Sequence, residues 1–253
     1  PCLHHTFCAA KTLAAALDSN AYEYKDKKSV SQNISLTCET AAGLFEYPEL
    51  GAVRLFNGRW IAAVIVNDFQ NRNGWHAAGG TISLLWNNEY GPVIAVGMAD
   101  YTINEPFNQQ QTTDTESLLS ACPRIEAKLD GRLYAQHYDR SAVMTNQTDE
   151  NGLFVRVEAC LSDTQHNRND SGICALDYSL TDKAFVIKGS VSPALSDRAV
   201  YILPLITDGI TLDVAIGAKL PDPKTGFCPS PGFMFKEYRI RPDTDGSFEI
   251  KLY

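Results

Sequence analysis

From about residue 30 onwards, the sequence consists of short apolar segments separated by turn signals, and helical periodicity is absent. Two of the turn signals, Asn57-Gly58 and Asp130-Gly131, are dipeptides that favour two-residue β-hairpin loops. Each stands between two segments of strand length and composition. The flanking segments are 53–56 and 60–66 in the first case, and 124–129 and 132–138 in the second. This pattern predicts consecutive antiparallel strands.

The remaining apolar segments extend the same pattern to the C-terminus and bring the total to about fourteen predicted strands. These segments are 34–39, 81–86, 92–98, 153–161, 174–180, 184–191, 199–206, 211–217, 233–240 and 248–253. Because no helices alternate with them, a parallel α/β architecture is excluded. The sequence therefore predicts a mainly β fold, a large antiparallel β-sandwich of the supersandwich type.

One helix is expected, at the start of the chain. Phe7, Ala10, Leu13 and Leu17 recur at helical spacing, and the alanines between them favour a helix. We therefore divide the chain into an N-terminal helix, residues 1–20, and an antiparallel β-sandwich domain, residues 21–253. The helix is interpreted as the end of a helical domain that precedes this sequence.

Composition and charge limit the classes of partner. The 253 residues carry a formal net charge of -8, which argues against nucleic acid, because neutralising phosphates requires concentrated Lys and Arg. No apolar run has the length of a transmembrane helix. Oligomeric state is left open by the sequence.

The seven cysteines do not fix the redox compartment. No two have the CxxC spacing of a structural zinc site, and their odd number leaves at least one unpaired within the chain. Cys160 and Cys174 flank a polar segment and have two readings, a disulfide or buried free thiols. Buried thiols are the favoured reading, because free cysteine behaves as a small hydrophobic residue.

The segment 67–76 is the richest polar and aromatic cluster in the sequence. Asn71, Arg72 and Asn73 offer hydrogen bonds to hydroxyl or carboxylate groups, and Trp75 offers a flat face to a sugar ring. These four residues are our candidates for substrate binding. The alternative is a long hairpin loop whose tryptophan covers one edge of the sandwich.

Two other polar segments are weaker candidates. Segment 100–114 contains Tyr101, which we add to the candidate substrate-binding residues. Segment 161–172 contains His166 and Arg168, but its composition is typical of a surface loop. Neither a GxSxG nor an HExxH motif is present, so the sequence itself indicates no serine nucleophile of that kind and no zinc-protease site.

Two stretches, "HHTFCAAKTLAAALD" and "WHAAGGTISLLWNNEYGPVIAVGMADY", resemble parts of heparinase II/III-like polysaccharide lyases. The first is similar to the last helix before the sandwich in that family, and the second to a strand pair that follows a His-x-His-x-Asp motif. The resemblance implies an α/α toroid followed by stacked antiparallel sheets, and cleavage of uronate polysaccharides by β-elimination. In such a reaction a Tyr or His removes the proton beside the carboxylate, and cationic or polar groups stabilise the resulting charge.

Carried over by position, the motif places its first histidine on His76, our candidate catalytic residue. Its second histidine falls on Ala78 and its aspartate on Gly80, neither of which has a side chain that could hold a metal. We therefore expect no metal at His76 and no cofactor.

These observations favour a carbohydrate-associated β-sandwich region without a complete catalytic apparatus of its own, in a secreted or periplasmic protein. Its expected partner is an acidic polysaccharide or oligosaccharide. One alternative is a uronate polysaccharide lyase that needs an N-terminal toroid. The other is a structural or interaction domain.

The loop hypothesis predicts two distinct binding defects. Arg72→Ala should weaken binding of an acidic oligosaccharide about ten-fold or more and that of a neutral one much less, because a hydrogen bond from a charged donor contributes about 1.5–3 kcal/mol. Trp75→Ala should weaken both, because ring stacking does not depend on ligand charge. Calorimetric titration with acidic and neutral glycans measures both effects, and wild-type affinity in both variants would reduce the loop to a structural connection.

Overall fold

In the computed structural model of the protein, residues 42–67, 77–96, 121–228 and 233–253 are described, and they form two antiparallel β-sheets. The predicted N-terminal helix and the predicted strand at 34–39 lie outside these residues. Every strand pairing in the described part is antiparallel. The prediction of a mainly β, antiparallel sandwich is confirmed.

The first sheet is a five-stranded meander in which each strand pairs with the next along the chain. Its strands are β1 (Ala42–Tyr47), β2 (Ala52–Asn57), β3 (Trp60–Ile65), β4 (Thr81–Asn87) and β5 (Gly91–Ala95). The predicted hairpin at Asn57-Gly58 is present. There the Asn57 side-chain oxygen accepts hydrogen bonds from the backbone N–H groups of Arg59 and Trp60, at 3.1 and 2.8 Å.

The second sheet contains the other twelve described strands. They are β6 (Arg124–Leu129), β7 (Arg132–Ala135), β8 (Val143–Asp149), β9 (Gly152–Ser162), β10 (Arg168–Leu180), β11 (Phe185–Val191), β12 (Ala199–Leu205), β13 (Leu212–Ile216), β14 (Ala218–Lys219), β15 (Lys224–Cys228), β16 (Phe233–Arg241) and β17 (Ser247–Leu252). The main path runs β13-β17-β11-β10-β9-β7-β6-β12-β16-β14, while β8 pairs with β9 and β15 with β16.

Helical structure in the described residues is limited to three single turns of 3-10 helix, at Pro48–Leu50, Gln136–Tyr138 and Pro193–Leu195. Among these same residues, no helix has the length and apolar character needed to cross a membrane. The hairpin at Asp130-Gly131 is confirmed, and both residues have positive φ, at 48° and 79°, as a type I′ turn requires.

The core lies between the two sheets and is continuous. Trp60 of the first sheet is fully buried and its ring centroid lies 6.5 Å from that of Phe185 in the second. Tyr178 stacks on Phe185, with ring centroids 6.2 Å apart. Backbone hydrogen bonds also join the sheets, since the Ile206 N–H donates to the Val93 carbonyl at 2.9 Å. The two sheets therefore form one sandwich with a shared apolar interior.

Three local predictions were wrong. Residues 136–138, predicted as the end of a strand, form a 3-10 turn. Segment 161–172, predicted as a surface loop, is largely strand: β9 continues to Ser162 and β10 begins at Arg168. Strand β8 was not predicted, because its sequence, VMTNQTD, is polar and mostly exposed, so that apolar alternation does not reveal it.

Cys160 and Cys174 are free thiols. Cys122, Cys160 and Cys174 are all buried, and the reading of Cys160 and Cys174 as buried thiols is confirmed. Burial raises the pKa of both the Cys160 and the Cys174 thiols. These groups therefore stay protonated at neutral pH and are poor nucleophiles.

Close packing at Gly189 gives a test of this architecture. Gly189 lies on β11 opposite Phe248 of β17, whose ring occupies the space that a side chain at position 189 would need. Phe248 is in turn held by Tyr201, with ring centroids 4.8 Å apart. We expect Gly189→Ala to lower the free energy of unfolding by about 1–3 kcal/mol, because the displaced ring has no free space to enter.

The matched control is Ser190→Ala, an exposed position one residue further along the same strand. It should change the free energy of unfolding by no more than about 0.5 kcal/mol. Urea denaturation of the three proteins measures both values, and a Gly189→Ala variant as stable as the control would contradict the packing described here.

Candidate functional site

Segments 67–76 and 100–114, which contain the candidate sugar-contacting residues, are flanked by residues that pack against one cluster in the fold. Ala77, which follows His76 directly, and Val96, which precedes segment 97–120, pack in one small apolar cluster. We call it the loop-base cluster; its other members are Cys122, Ala135 and Tyr138.

The candidate residues themselves, His76, Asn71, Arg72, Asn73, Trp75 and Tyr101, lie outside the described residues. Their assigned roles in catalysis and substrate binding therefore remain predictions. The structure does describe the residues that flank the two segments. Ala77 follows the first segment, and Val96 and Ala121 lie before and after the second.

The buried side chain of Gln136 joins the two sheets beneath this point. Its oxygen accepts a hydrogen bond from the Ile125 N–H at 2.8 Å. Its amide nitrogen donates to the Gly79 carbonyl at 3.3 Å and to the Thr81 hydroxyl at 3.2 Å. The Thr81 hydroxyl donates in turn to the Pro123 carbonyl at 3.0 Å. One amide thus fixes the start of β4 against the start of β6.

Gly79 and Gly80 are required by this close approach of the two sheets. Both have positive φ, at 61° and 82°. A side chain at position 79 would collide with the Gln136 carbonyl, and one at position 80 with the Val157 side chain. The Gly80 carbonyl also accepts a hydrogen bond from the buried Tyr178 hydroxyl at 2.7 Å. The glycine at the aspartate position of the resemblance therefore has a packing role.

Ala78 is also explained by packing. It is 1% exposed, and its N–H donates to the His137 carbonyl at 3.0 Å. A larger ligand-type side chain has no space here. The Ala-Ala-Gly-Gly stretch at residues 77–80, which follows His76 in the sequence, is tightly packed and makes the backbone contact with residues 136 and 137.

The titratable side chain of His137 is buried and has no hydrogen-bond partner among the described residues. Its imidazole is 1% exposed. The ring lies against Tyr138, with centroids 3.9 Å apart. Burial, reinforced by the positive charge of Arg124, holds the pKa of His137 well below its ordinary value of 6.5. His137 is therefore neutral at neutral pH.

Arg124 belongs to a compact group of alternating charges on β6 and β16. Arg124 contacts Glu126 at 2.9 Å, Arg239 contacts Glu237 at 3.1 Å, and the two pairs approach each other at 3.9–4.0 Å. Burial alone would lower the pKa of Arg124, but the carboxylates beside it, Glu126 first, more than offset this and raise it. The guanidinium is a permanent positive charge held in place beside His137.

The residues of segment 161–172 have structural roles. Arg168 contacts the fully buried carboxylate of Asp139 at 3.1 Å. Asp139 also accepts hydrogen bonds from the N–H groups of Cys160, at 2.7 Å, and Ser141, at 3.0 Å. The His166 ring contacts the Tyr138 carbonyl at 2.8 Å. These contacts hold the turn at residues 136–139 in place from the outer side.

The described site therefore has a neutral imidazole, a fixed guanidinium and a phenol next to the anchor points of the two polar segments. The sequence does not identify Arg124 and His137 as site residues, because both lie in segments whose pattern predicts only a β-hairpin. Among the described residues, no group of three or more His, Cys, Asp or Glu side chains is placed to hold a metal ion.

The topology and the polar group at the sheet junction define an antiparallel β-sandwich domain. Residues 45–212 match the ulvan lyase C-terminal domain family, and the chain belongs to that family. The family shown is thus a polysaccharide lyase family, as the resemblance implied, but it is named for ulvan lyases and not for heparinases.

Two individual proteins give further comparisons. The broad-specificity ulvan lyase of Formosa agariphila is 28% identical over 211 residues, which cover 81% of this chain and 32% of that protein. The chain therefore spans about a third of the length of this curated relative. The crystal structure of 4-alpha-glucanotransferase from Thermococcus litoralis aligns over 84% of this chain and 38% of that one, at 12% identity and a TM-score of 0.39.

The state of His137 predicts a pH dependence of stability. Because its pKa is lower in the folded than in the unfolded chain, the unfolded chain binds more protons below pH 6.5. Stability is therefore complete above that pH and is lost as the pH falls from 6.5 towards the folded pKa, by up to about 1.4 kcal/mol per pH unit. His137→Leu should remove this loss and leave stability at about pH 7.5 nearly unchanged, since no polar partner is left unsatisfied.

Urea denaturation at about pH 7.5 and about pH 5.5 compares wild type and variant. The control is His166→Asn, because asparagine accepts the positive φ of 68° at that position and the change leaves His137 intact. It should retain the His137-dependent loss. An equal loss in wild type and His137→Leu would show that His137 is already charged in the fold.

Proposed function

We propose that this chain is the carbohydrate-handling β-region of a uronate polysaccharide lyase, and that catalytic groups outside the described residues complete its active site. The proposal rests on one observation: the two polar segments that contain His76 and Tyr101 are anchored in the same loop-base cluster, at Ala77 and Val96. Family membership supports it, because the matching family is the ulvan lyase C-terminal domain.

The reaction of such an enzyme is a β-elimination. A base removes the proton from the carbon that bears the uronate carboxylate, and the electron pair forms a double bond to the neighbouring carbon. The bond from that carbon to the glycosidic oxygen breaks, and an acid protonates the oxygen. The substrate carboxylate must be neutralised for the carbon-bound proton to become acidic.

The candidate residues fit the parts of this reaction that a sugar-binding region supplies. We assign His76 to proton transfer and Arg72 to the substrate carboxylate. Asn71, Asn73 and Tyr101 would bind hydroxyl groups, and Trp75 would stack on a sugar ring. The described part would hold these segments rigidly, because the buried Gln136 amide and the two glycines lock the end of the first segment onto both sheets.

We extend the proposal to the substrate and the compartment. The curated relative is named as a broad-specificity ulvan lyase, and we propose ulvan as the polysaccharide on which this region acts. Because a polysaccharide is degraded outside the cytoplasm, we propose a secreted or periplasmic location for this protein.

Cleavage assays on the full-length gene product test the proposal. Incubation with ulvan should give shorter chains with an ultraviolet-absorbing double bond at the new non-reducing end. His76→Ala should lower kcat by about 10²-fold or more, the usual contribution of a general acid or base. The control, His166→Asn, removes a histidine that lies in the described fold and contacts a backbone carbonyl, and asparagine accepts the positive φ at that position; this variant should retain activity within about two-fold.

Three outcomes separate this proposal from its alternatives. Cleavage that depends on His76 supports it. Binding of ulvan without cleavage identifies a carbohydrate-binding region that takes no part in catalysis. Absence of both binding and cleavage would identify a structural or interaction domain and refute the proposal.

A further inference from the structure

The solvent-facing side of the second sheet has an open groove across β8, β9, β10 and β11. Strand register places Thr145, Arg156, Asp177 and Lys188 in one row across these four strands. Together with Phe154 in the next row, they line a depression of about 560 Å³. Because alternate residues of a strand face opposite sides, this face is distinct from the core face, on which Val155 and Val157 are buried.

The depression continues along the strands. An adjoining depression shares Arg156 with it and reaches Glu158 and Ile173. A third depression shares Glu158 and Ile173 with the second and reaches Arg168. We call this continuous feature the outer-face groove. From Phe154 to Cys160 along β9 it covers seven residues, and the six steps between them span about 20 Å at the rise of a β-strand. An open groove of this length suits an extended polymer better than a small compact ligand.

The floor of the groove combines directional hydrogen-bonding groups with an aromatic ring. One guanidinium nitrogen of Arg156 donates to both Asp177 carboxylate oxygens, at 3.0 and 2.9 Å. Both side chains are about half exposed, at 50% and 43%, and retain donors and acceptors that face solvent. Phe154, half-buried in the neighbouring row, presents an apolar surface. This mixture matches the hydroxyl groups and the apolar ring faces of a sugar chain.

The charges along the groove nearly cancel. Its lining contains three basic and four acidic side chains: Arg156, Lys188, Arg168, Asp149, Asp177, Glu158 and Asp170. All three basic groups are already paired: Arg156 with Asp177 at 2.9 Å, Lys188 with Glu249 at 3.1 Å, and Arg168 with Asp139 at 3.1 Å. A polyanion would gain no net electrostatic attraction here. The groove is therefore suited to recognise hydroxyl groups and not the charges of a polysaccharide.

We propose that the outer-face groove is an accessory binding site for a polysaccharide chain, which it holds through sugar hydroxyls and through stacking on Phe154. The inference rests on the proposed function in one respect, the choice of ulvan as the polysaccharide. The groove retains a second part of the polymer while cleavage takes place elsewhere. Since surface ion pairs contribute little to stability, removing the Arg156–Asp177 pair should leave the fold intact.

Affinity electrophoresis of the full-length gene product in gels containing ulvan tests this site. The double variant Arg156→Ala/Asp177→Ala removes the hydrogen-bonding pair without changing the net charge, and Phe154→Ala removes the ring. Each should weaken retention about ten-fold, as expected for the loss of a charge-assisted hydrogen bond or a stacked ring. Wild-type retention should persist at about 1 M salt, where the Debye length is only about 3 Å.

Matched controls exist elsewhere on the surface. Lys236→Ala/Asp208→Ala removes another exposed ion pair, with its nitrogen and oxygen 2.7 Å apart. Phe45→Ala removes an exposed ring from the first sheet. Both controls should bind ulvan within about two-fold of wild type. Urea denaturation of every variant checks that the fold is retained.

The same variants separate an accessory site from a catalytic one. Cleavage of short, soluble ulvan oligosaccharides should be unchanged within about two-fold, because these ligands do not reach from one site to the other. Wild-type retention by both groove variants, or loss of wild-type retention at high salt, would overturn the proposal. A parallel loss of short-oligosaccharide cleavage would overturn it as well, since the groove would then belong to the active site. If wild type cleaves nothing, the lyase proposal fails while the comparison of retention still decides the groove.

Discussion

The sandwich depends on a close backbone contact between its two sheets, where the turn at Gly79 and Gly80 meets the 3-10 turn that begins at Gln136. No side chain fits between the Gly79 backbone and the Gln136 carbonyl. The buried backbone groups at such a contact need partners, because an unsatisfied buried hydrogen-bonding group costs about 1–3 kcal/mol. The Gln136 side chain supplies three hydrogen bonds, to Ile125, Gly79 and Thr81, and thereby ties three separate parts of the chain together.

This contact also determines where functional groups can be placed. Ala77 and Val96 are fixed beside it, so the two polar segments leave the fold from a rigid base. Rigidity at that base matters for catalysis, since proton transfer requires heavy atoms within hydrogen-bonding distance in the reacting complex. The Arg124 guanidinium and its carboxylate neighbours form a fixed charge pattern next to the same base. Burial lowers the pKa of His137 and keeps it neutral there, and the positive charge of Arg124 reinforces this effect.

The sequence alone predicted the antiparallel β-sandwich class of the described residues, and the reasons are local. Positive φ at Gly58, Asp130 and Gly131 specifies the two hairpins, and in the first the Asn57 side chain also accepts hydrogen bonds from the turn backbone. Strands with one buried face, such as β9, show alternating apolar residues. Strand β8 has no such face, because it pairs along one side of β9 and remains mostly exposed. Periodicity therefore carries no signal for it.

The candidate site was less predictable, because its described groups are brought together by strand pairing and not by proximity in sequence. Gln136 is 57 residues from Gly79, and Tyr178 is 98 residues from Gly80. The interpretation of Gly80 as a lost metal ligand used sequence position alone. Its positive φ and the Val157 side chain packed against it supply a sufficient structural reason for glycine.

Strand β9 connects the two regions to which we assign binding. Val157 faces inward and fills the space against Gly80, while Arg156 and Glu158, its neighbours in sequence, face outward into the groove. The two-residue period of a strand places these groups on opposite sides of a single sheet. Substitutions of the outward residues therefore leave the packing under the loop-base cluster untouched, because that packing is made by the inward ones. Under the two proposals above, a substitution in the groove and one at the loop-base cluster should therefore affect separate properties and leave the fold intact.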